Sequence, residues 1–93
     1  MKIQIEQHTL ERAEERGTNA DEIKDVLENG TEISARGSRK GKAKIYDFKQ
    51  ERFGKYYLHK RVEIIYGEEK DVIVTVTVYV FYGEWKVWHA NRV

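Results

Sequence analysis

The segment from Asp71 to Tyr82 alternates so regularly that it predicts a central β-strand with two distinct faces. One face would carry the alternate valines Val72, Val74, Val76, Val78 and Val80. The opposite face would carry hydroxyl, aliphatic and aromatic side chains, namely Ile73, Thr75, Thr77, Tyr79 and Phe81. We expect the valine face to pack on a core and the other face to carry function.

The first amphipathic helix is predicted from about Gln7 to Arg16, where Gly17 stands at a helix C-cap position. A step of four residues along it aligns three basic or titratable side chains in one stripe, His8, Arg12 and Arg16. This stripe is expected to meet a single partner surface.

A second helix is predicted to begin after Asn19 or Thr18 and to end at Gly30. Glu22 follows Asn19 by the spacing of a capping box. The apolar positions repeat at helical spacing and lie on one side, at Ala20, Ile23, Val26 and Leu27. Because each helix has one apolar stripe, both are expected to lie on a sheet.

The remaining segments predict β-strands: Thr31 to Arg36, Lys44 to Lys49, Tyr56 to Tyr66, and Trp85 to about His89. Lys2 to Ile5 is either a first strand or the approach to the first helix. A loop of odd length around Gly67 would place Leu58, Val62 and Ile64 on the valine face, together with Lys60. It would place Tyr57, His59, Arg61 and Glu63 on the other face.

These elements predict an α+β fold in which two N-terminal helices pack on one face of a four- to five-stranded antiparallel sheet. Residues 1–93 are expected to form a single domain. The chain has no cysteine, which excludes disulfides and thiolate chemistry. No apolar run reaches the roughly 18 residues of a membrane span, so we expect a cytoplasmic protein.

Charge and motifs narrow the possible chemistry further. The formal net charge is only +1, so attraction to nucleic acid must come from local clusters. One such cluster is expected in a mobile glycine-containing loop, with cations at Arg36, Arg39, Lys40, Lys42 and Lys44. The histidines His8, His59 and His89 show no metal-ligand spacing, and no phosphate-binding loop or serine nucleophile motif is present. No cofactor is therefore expected.

Two long stretches, HTLERAEERGTNADEIKDVLENG and KRVEIIYGEEKDVIVTVTVYVF, resemble an uncharacterised family of small bacterial domains. That family is similar to toxins of the RelE/ParE and BrnT kinds, in the barnase, EndoU, colicin and RelE fold group. The resemblance implies a RelE-like fold with a concave site opposite the helices. Its members include metal-independent ribonucleases and inhibitors of DNA gyrase. The matching positions are His8, Arg12, Arg16, Thr75, Thr77 and Tyr79, whereas the near-neutral charge departs from strongly basic toxins.

Metal-free RNA cleavage requires a proton acceptor, a proton donor and groups that bind phosphate. The candidates for catalysis are His8, His59, Arg61 and Tyr79. The candidates for RNA binding are Arg12, Arg36, Arg39, Lys40, Lys42, Lys60, Thr75 and Thr77, with Tyr57, Phe81 or Trp88 available for base stacking.

The leading hypothesis is therefore a toxin-type ribonuclease that cleaves RNA by attack of the ribose 2′-OH and is neutralised by an antitoxin protein. The first alternative is a non-catalytic interaction module that binds a protein partner or a second copy of itself. A gyrase-directed inhibitor of the ParE kind is the second alternative. The first two of these hypotheses assign the function to the same sheet face, whereas the third keeps the fold without RNA chemistry.

Overall fold

The computed structural model describes residues 2–86, in which two helices pack on one face of a five-stranded sheet. In chain order the elements are β1 (Lys2–Gln4), α1 (Gln7–Arg16), α2 (Ala20–Asn29), β2 (Thr31–Ile33), β3 (Lys40–Arg52), β4 (Lys55–Glu69) and β5 (Val72–Gly83). The strand order across the sheet is β1-β5-β4-β3-β2. The α+β class and the helix pair are thus confirmed.

The sheet is mixed, so the prediction of a purely antiparallel sheet is wrong. β1 pairs in parallel with β5 through Lys2, Ile3 and Gln4, whereas the other neighbouring strands are antiparallel. A segment this short carries no local signal for the direction of its partner, because the chain passes through two helices and three strands before it returns.

Both predicted helices form with the capping that their sequences indicate. Gly17 adopts the left-handed conformation that glycine favours, with φ of 92°, and its N–H donates to the carbonyl of Ala13. The side chain of Asn19 accepts from the backbone N–H of Glu22 at 2.9 Å. These local interactions set the start of α2 and the end of α1.

A β-bulge in β5 overturns the predicted valine face. Ile65 pairs with Thr77 and Tyr66 pairs with Thr75, so Val76 is an extra residue without a partner on β4. On the N-terminal side of the bulge, Ile73 and Thr75 therefore face the helices. On its C-terminal side, this face is continued by Val78 and Val80. An alternating sequence cannot reveal such a bulge, because the bulge is defined by pairing with another strand.

The predicted turns also differ from those observed. β4 and β5 are joined by the two-residue turn Lys70–Asp71, with φ of 48° and 68°, which is the type I′ geometry. Gly67 lies within β4, so the odd-length loop around it does not form. β3 begins at Lys40, and the expected mobile basic loop is therefore reduced to residues 34–39.

The helix side of the sheet is tied to α2 by the carboxylate of Asp25. Lys44 Nζ and Tyr46 Oη donate to Asp25 Oδ2 at 2.6 and 2.5 Å, and Asn29 Nδ2 donates to Asp25 Oδ1 at 2.9 Å. These hydrogen bonds, led by the one from Lys44, lower the pKa of Asp25 to about 2 from its ordinary value of 3.8.

We expect Asp25 to make the protein sensitive to acid. A carboxylate whose pKa is lowered by folding stabilises the folded state above about pH 4, and this contribution is lost as the pH falls towards 2. Because Asp25 is partly exposed, we expect this contribution to the free energy of unfolding to be about 1–2 kcal/mol. Urea unfolding at pH 6, 4 and 2 should show a smaller acid loss in Asp25→Asn than in the exposed-site control Glu28→Gln. Equal losses in the two variants would contradict this assignment.

Candidate functional site

The sheet face opposite the helices, called the open face below, carries most of the predicted catalytic side chains. Val62, Ile64 and Tyr66 of β4 belong to the helix-side core, so the alternate residues of this strand point to the open face. Register places Arg61 opposite Phe81, Glu63 opposite Tyr79, and Ile65 opposite Thr77. The open face therefore combines cationic, acidic, hydroxyl and aromatic side chains on neighbouring strands.

Arg61 and Glu63 form an ion pair at the centre of the open face. Arg61 Nε donates to Glu63 Oε2 at 2.7 Å, and the two side chains are 28% and 20% exposed. Within residues 2–86 this hydrogen bond uses only the Nε donor of Arg61. The pair thus places a guanidinium and a carboxylate side by side, a suitable combination for binding an anion and accepting a proton.

His59 lies beside this ion pair and is held in one orientation by the chain that follows β5. Its Nδ1 accepts the backbone N–H of Trp85 at 3.0 Å. The proton of the neutral ring is therefore on Nε2, which lies 3.8 Å from Asp47 Oδ1. The neutral ring can donate a hydrogen bond through Nε2, but it can give up a proton only as the imidazolium, which also carries a proton on Nδ1 and must therefore release the bond from Trp85. Acting as a base through Nε2 would require the bond from Trp85 to break.

Two exposed aromatic rings extend the open face from the ion pair. Tyr79 and Phe81 are 43% and 47% exposed, and their ring centroids are stacked 6.4 Å apart. The guanidinium of Arg16 lies 5.5 Å from the centroid of Tyr79. Such rings can stack on unpaired bases or bury area against a protein partner.

The helix stripe of His8, Arg12 and Arg16 meets the free edge of β5. His8 Nε2 donates to the carbonyl of Val76 at 2.7 Å, and Arg16 Nη1 donates to that of Val78 at 2.5 Å. Arg12 lies between them, with Nη1 3.7 Å from Glu15 Oε1. β1 pairs only with residues 72–74. His8 and Arg16 therefore satisfy edge carbonyls that no strand within residues 2–86 covers.

The structure does not bring His8 and His59 together. His8 contacts β5 at Val76, whereas His59 lies opposite Gly83. Val76 and Gly83 are seven positions apart on β5, which is about 23 Å at the rise of an extended strand. A single phosphodiester cannot be reached by both rings, so the two histidines cannot serve as its acid and base.

Three RNA-binding candidates lie on the helix side instead of the open face. Lys60 Nζ donates to Glu22 Oε1 at 2.8 Å and to Gly17 O at 2.9 Å. Lys42 Nζ donates to Leu27 O at 2.8 Å, and the buried Thr75 hydroxyl donates to Thr9 Oγ1 at 3.1 Å. The bulge at Val76 accounts for Thr75, and the early start of β3 accounts for Lys42. The expected position of Lys60 on the helix side is confirmed.

Two of the remaining cations, Arg36 and Arg39 of the loop, border a hollow in the open face. Lys40 pairs with Glu68 at 2.9 Å, and this hydrogen bond raises the pKa of Lys40. Arg36 and Arg39 make no ion pair within residues 2–86. The hollow measures about 390 Å³ and is lined by Ala35, Arg36, Arg39, Ile65, Val76, Thr77 and Tyr79.

Some features of the site were not predicted, and others lie outside the described residues. The sequence did not indicate that Asp47 lies beside His59, or that the backbone N–H of Trp85 donates to His59. Both contacts depend on tertiary pairing. Trp85 is not in a strand. Trp88 and His89 are outside the described range.

Within residues 2–86, no three histidine or carboxylate side chains cluster as metal ligands. Neither helix in that range has the length and apolar content to cross a bilayer.

The fold and the open face define a small α+β domain whose helices cover one sheet face and leave the other available. Residues 5–80 match the model of a domain of unknown function, DUF4258. The chain belongs to this family, which confirms the expected membership of an uncharacterised domain family. No curated protein and no solved structure matches the chain significantly.

Proposed function

We propose that the protein is a toxin-type, metal-independent ribonuclease of the RelE/BrnT-like kind and that the open face is its RNA-cleaving surface. The observation that carries this proposal is the clustering of His59, Arg61, Glu63 and Tyr79 on neighbouring positions of β4 and β5. An antitoxin that covers the open face would keep the enzyme inactive.

In this proposal, each group takes one step in cleavage. Arg61 binds a non-bridging phosphate oxygen, while the adjacent carboxylate of Glu63 accepts the proton of the ribose 2′-OH. The 2′-oxygen attacks phosphorus and the bond to the 5′-oxygen breaks. His59, as the imidazolium that forms when the bond from Trp85 opens, gives its Nε2 proton to that leaving oxygen and becomes neutral. The products are a 2′,3′-cyclic phosphate and a 5′-hydroxyl end, with Tyr79 and Thr77 orienting the phosphate.

This assignment differs from the sequence-based hypothesis at the proton acceptor. His8 uses Nε2 to bond the edge of β5 and lies far from His59, so it stabilises the fold in this proposal. Glu63 replaces it, because its carboxylate is already beside Arg61.

The direct test is incubation of the purified protein with RNA in EDTA, followed by analysis of the product ends. We expect cleavage that leaves 2′,3′-cyclic phosphates, since the proposed groups need no metal. The matched control is the same RNA with 2′-O-methyl groups, which lacks the nucleophile and should remain intact. If folded protein cleaves neither free RNA nor RNA on ribosomes, the proposal is wrong.

A second candidate function is binding of a protein partner, or of a second copy of this chain, through the open face. It is favoured by the exposed rings of Tyr79 and Phe81 and by the neutralisation of Arg61 by Glu63. Such a complex would bury aromatic area and survive high salt, whereas binding dominated by phosphates weakens steeply with salt.

A further inference from the structure

The turn between β3 and β4 combines exposure with backbone strain. Arg52 pairs with Lys55, and the two-residue turn Phe53–Gly54 has φ of 51° and 79°. This type I′ geometry favours asparagine or glycine, and a bulky residue there is an outlier. Phe53 is nevertheless 93% exposed, so its ring contributes little burial to offset the strain. Folding alone does not explain a phenylalanine at this position.

The ring of Phe53 stacks on the guanidinium of Arg52, which also stacks on the ring of Tyr82. The guanidinium of Arg52 lies 4.8 Å from the centroid of Phe53 and 4.8 Å from that of Tyr82. Arg52 Nη2 also donates to the carbonyl of Glu15 at the end of α1, at 3.1 Å. The fold thus holds Arg52 in place, and Arg52 in turn supports the ring of Phe53, whose other flat surface faces the solvent.

The surroundings of Phe53 are cationic. Lys49, Arg52 and Lys55 stand within a few residues of it, with Glu51 as the acidic neighbour. Tyr56, which is 57% exposed, adds a second ring close to the tip. The tip lies at the start of β4, the strand that carries His59. Phe53 and His59 are six positions apart, which is about 20 Å at the rise of a strand.

We propose that the β3–β4 tip is a stacking platform for an unpaired base of single-stranded RNA, a few nucleotides from the scissile phosphate. Base stacking needs a flat ring held in place, and the phosphates on either side of the base match the cations Lys49 and Lys55. This inference rests on the proposed action on RNA. A single supported ring fits a base better than it fits insertion into a membrane, which needs a larger apolar surface.

The test separates stacking from folding and from cleavage. Binding is measured by fluorescence anisotropy with a labelled 2′-O-methyl oligouridine of about 12 nucleotides, which cannot be cleaved. Phe53→Asn should weaken binding roughly 5- to 100-fold. The same variant should raise Tm by roughly 4–8 °C because asparagine suits the turn. Phe53→Trp should bind within about threefold of the parent, because it keeps a flat ring.

Phe53→Leu is the matched control, because it keeps an apolar tip with similar backbone strain but no ring. It should lose RNA binding as Phe53→Asn does, without the rise in Tm. Unchanged binding in Phe53→Asn would overturn the inference, as would an absence of RNA binding by the parent. Phe53-dependent binding to vesicles of anionic phospholipid, retained by Phe53→Leu, would also overturn it. Phe53-dependent RNA binding without cleavage would refute the proposed ribonuclease and leave the platform in place.

Discussion

Replacement of both His59 and Arg61 by alanine is expected to lower the rate of RNA cleavage in EDTA by at least about 10³-fold. Loss of Arg61 removes the cation that balances the negative charge developing on the non-bridging phosphate oxygens, an effect of about 10²–10³ for one such group. Loss of His59 removes the donor to the leaving oxygen, worth about 10²–10⁴. The two effects should add incompletely, since both groups act on one transition state.

Single-turnover rates of the parent, both single variants and the double variant measure this directly. His59→Gln is the informative partner of His59→Ala, because an amide keeps a hydrogen-bond donor near Nε2 but cannot transfer its proton. Both should be slow if His59 is the acid. Lys24→Ala on the exposed surface of α2 removes a cation away from the open face and should leave the rate unchanged. Full activity of the folded double variant would show that cleavage does not use this site.

Lys60→Ala is expected to lower the free energy of unfolding by about 3–5 kcal/mol, the usual cost of removing one partner from a buried ion pair. The side chains of Lys60 and Glu22 are 11% and 23% exposed. Without Lys60, the side-chain partner left to the carboxylate of Glu22 within residues 2–86 is the Thr18 hydroxyl, at 2.7 Å, and the carbonyl of Gly17 loses its side-chain donor. Both groups would remain partly desolvated.

Urea unfolding at neutral pH measures this loss, with Lys24→Ala as a surface lysine control expected to stay within about 0.5 kcal/mol of the parent. The double variant Lys60→Met, Glu22→Leu should recover most of the stability, because it removes both charges and keeps apolar volume. A loss below about 1 kcal/mol in Lys60→Ala would mean that water, and not Glu22, stabilises this ammonium. The same result would mean that Lys60 does not stabilise the packing of β4 against the helices.

The helices and the last strand show how far prediction from sequence reached. Helix α1 ends at Arg16 and helix α2 begins after Asn19, as the glycine and the capping residue indicated. β5 forms where alternation predicted it. The assignment of its faces failed around Val76, because an inserted residue reverses the side on which the following side chains lie.

The residues of the candidate site likewise include some that the local pattern placed correctly and some that it placed wrongly. Arg61, Glu63 and His59 were placed on one face by alternation within β4, and the structure agrees. Lys42 looked like part of a flexible basic loop, but a strand turns its side chain towards α2. The expected similarity to ribonuclease toxins, which the comparisons do not show, drew attention to His8, whose observed contact is with the edge of β5.

The sequence by itself determined the two helices and their ends, the presence of β4 and β5, and the alternation of β4, because these depend on residues within a few positions of each other. Only the tertiary structure decided the bulge at Val76, the parallel pairing of β1 and the roles of His8 and Arg16. Their bonds to β5 join residues 68 and 62 positions apart. Contacts over such separations depend on how strands pair and helices pack, which no local pattern contains.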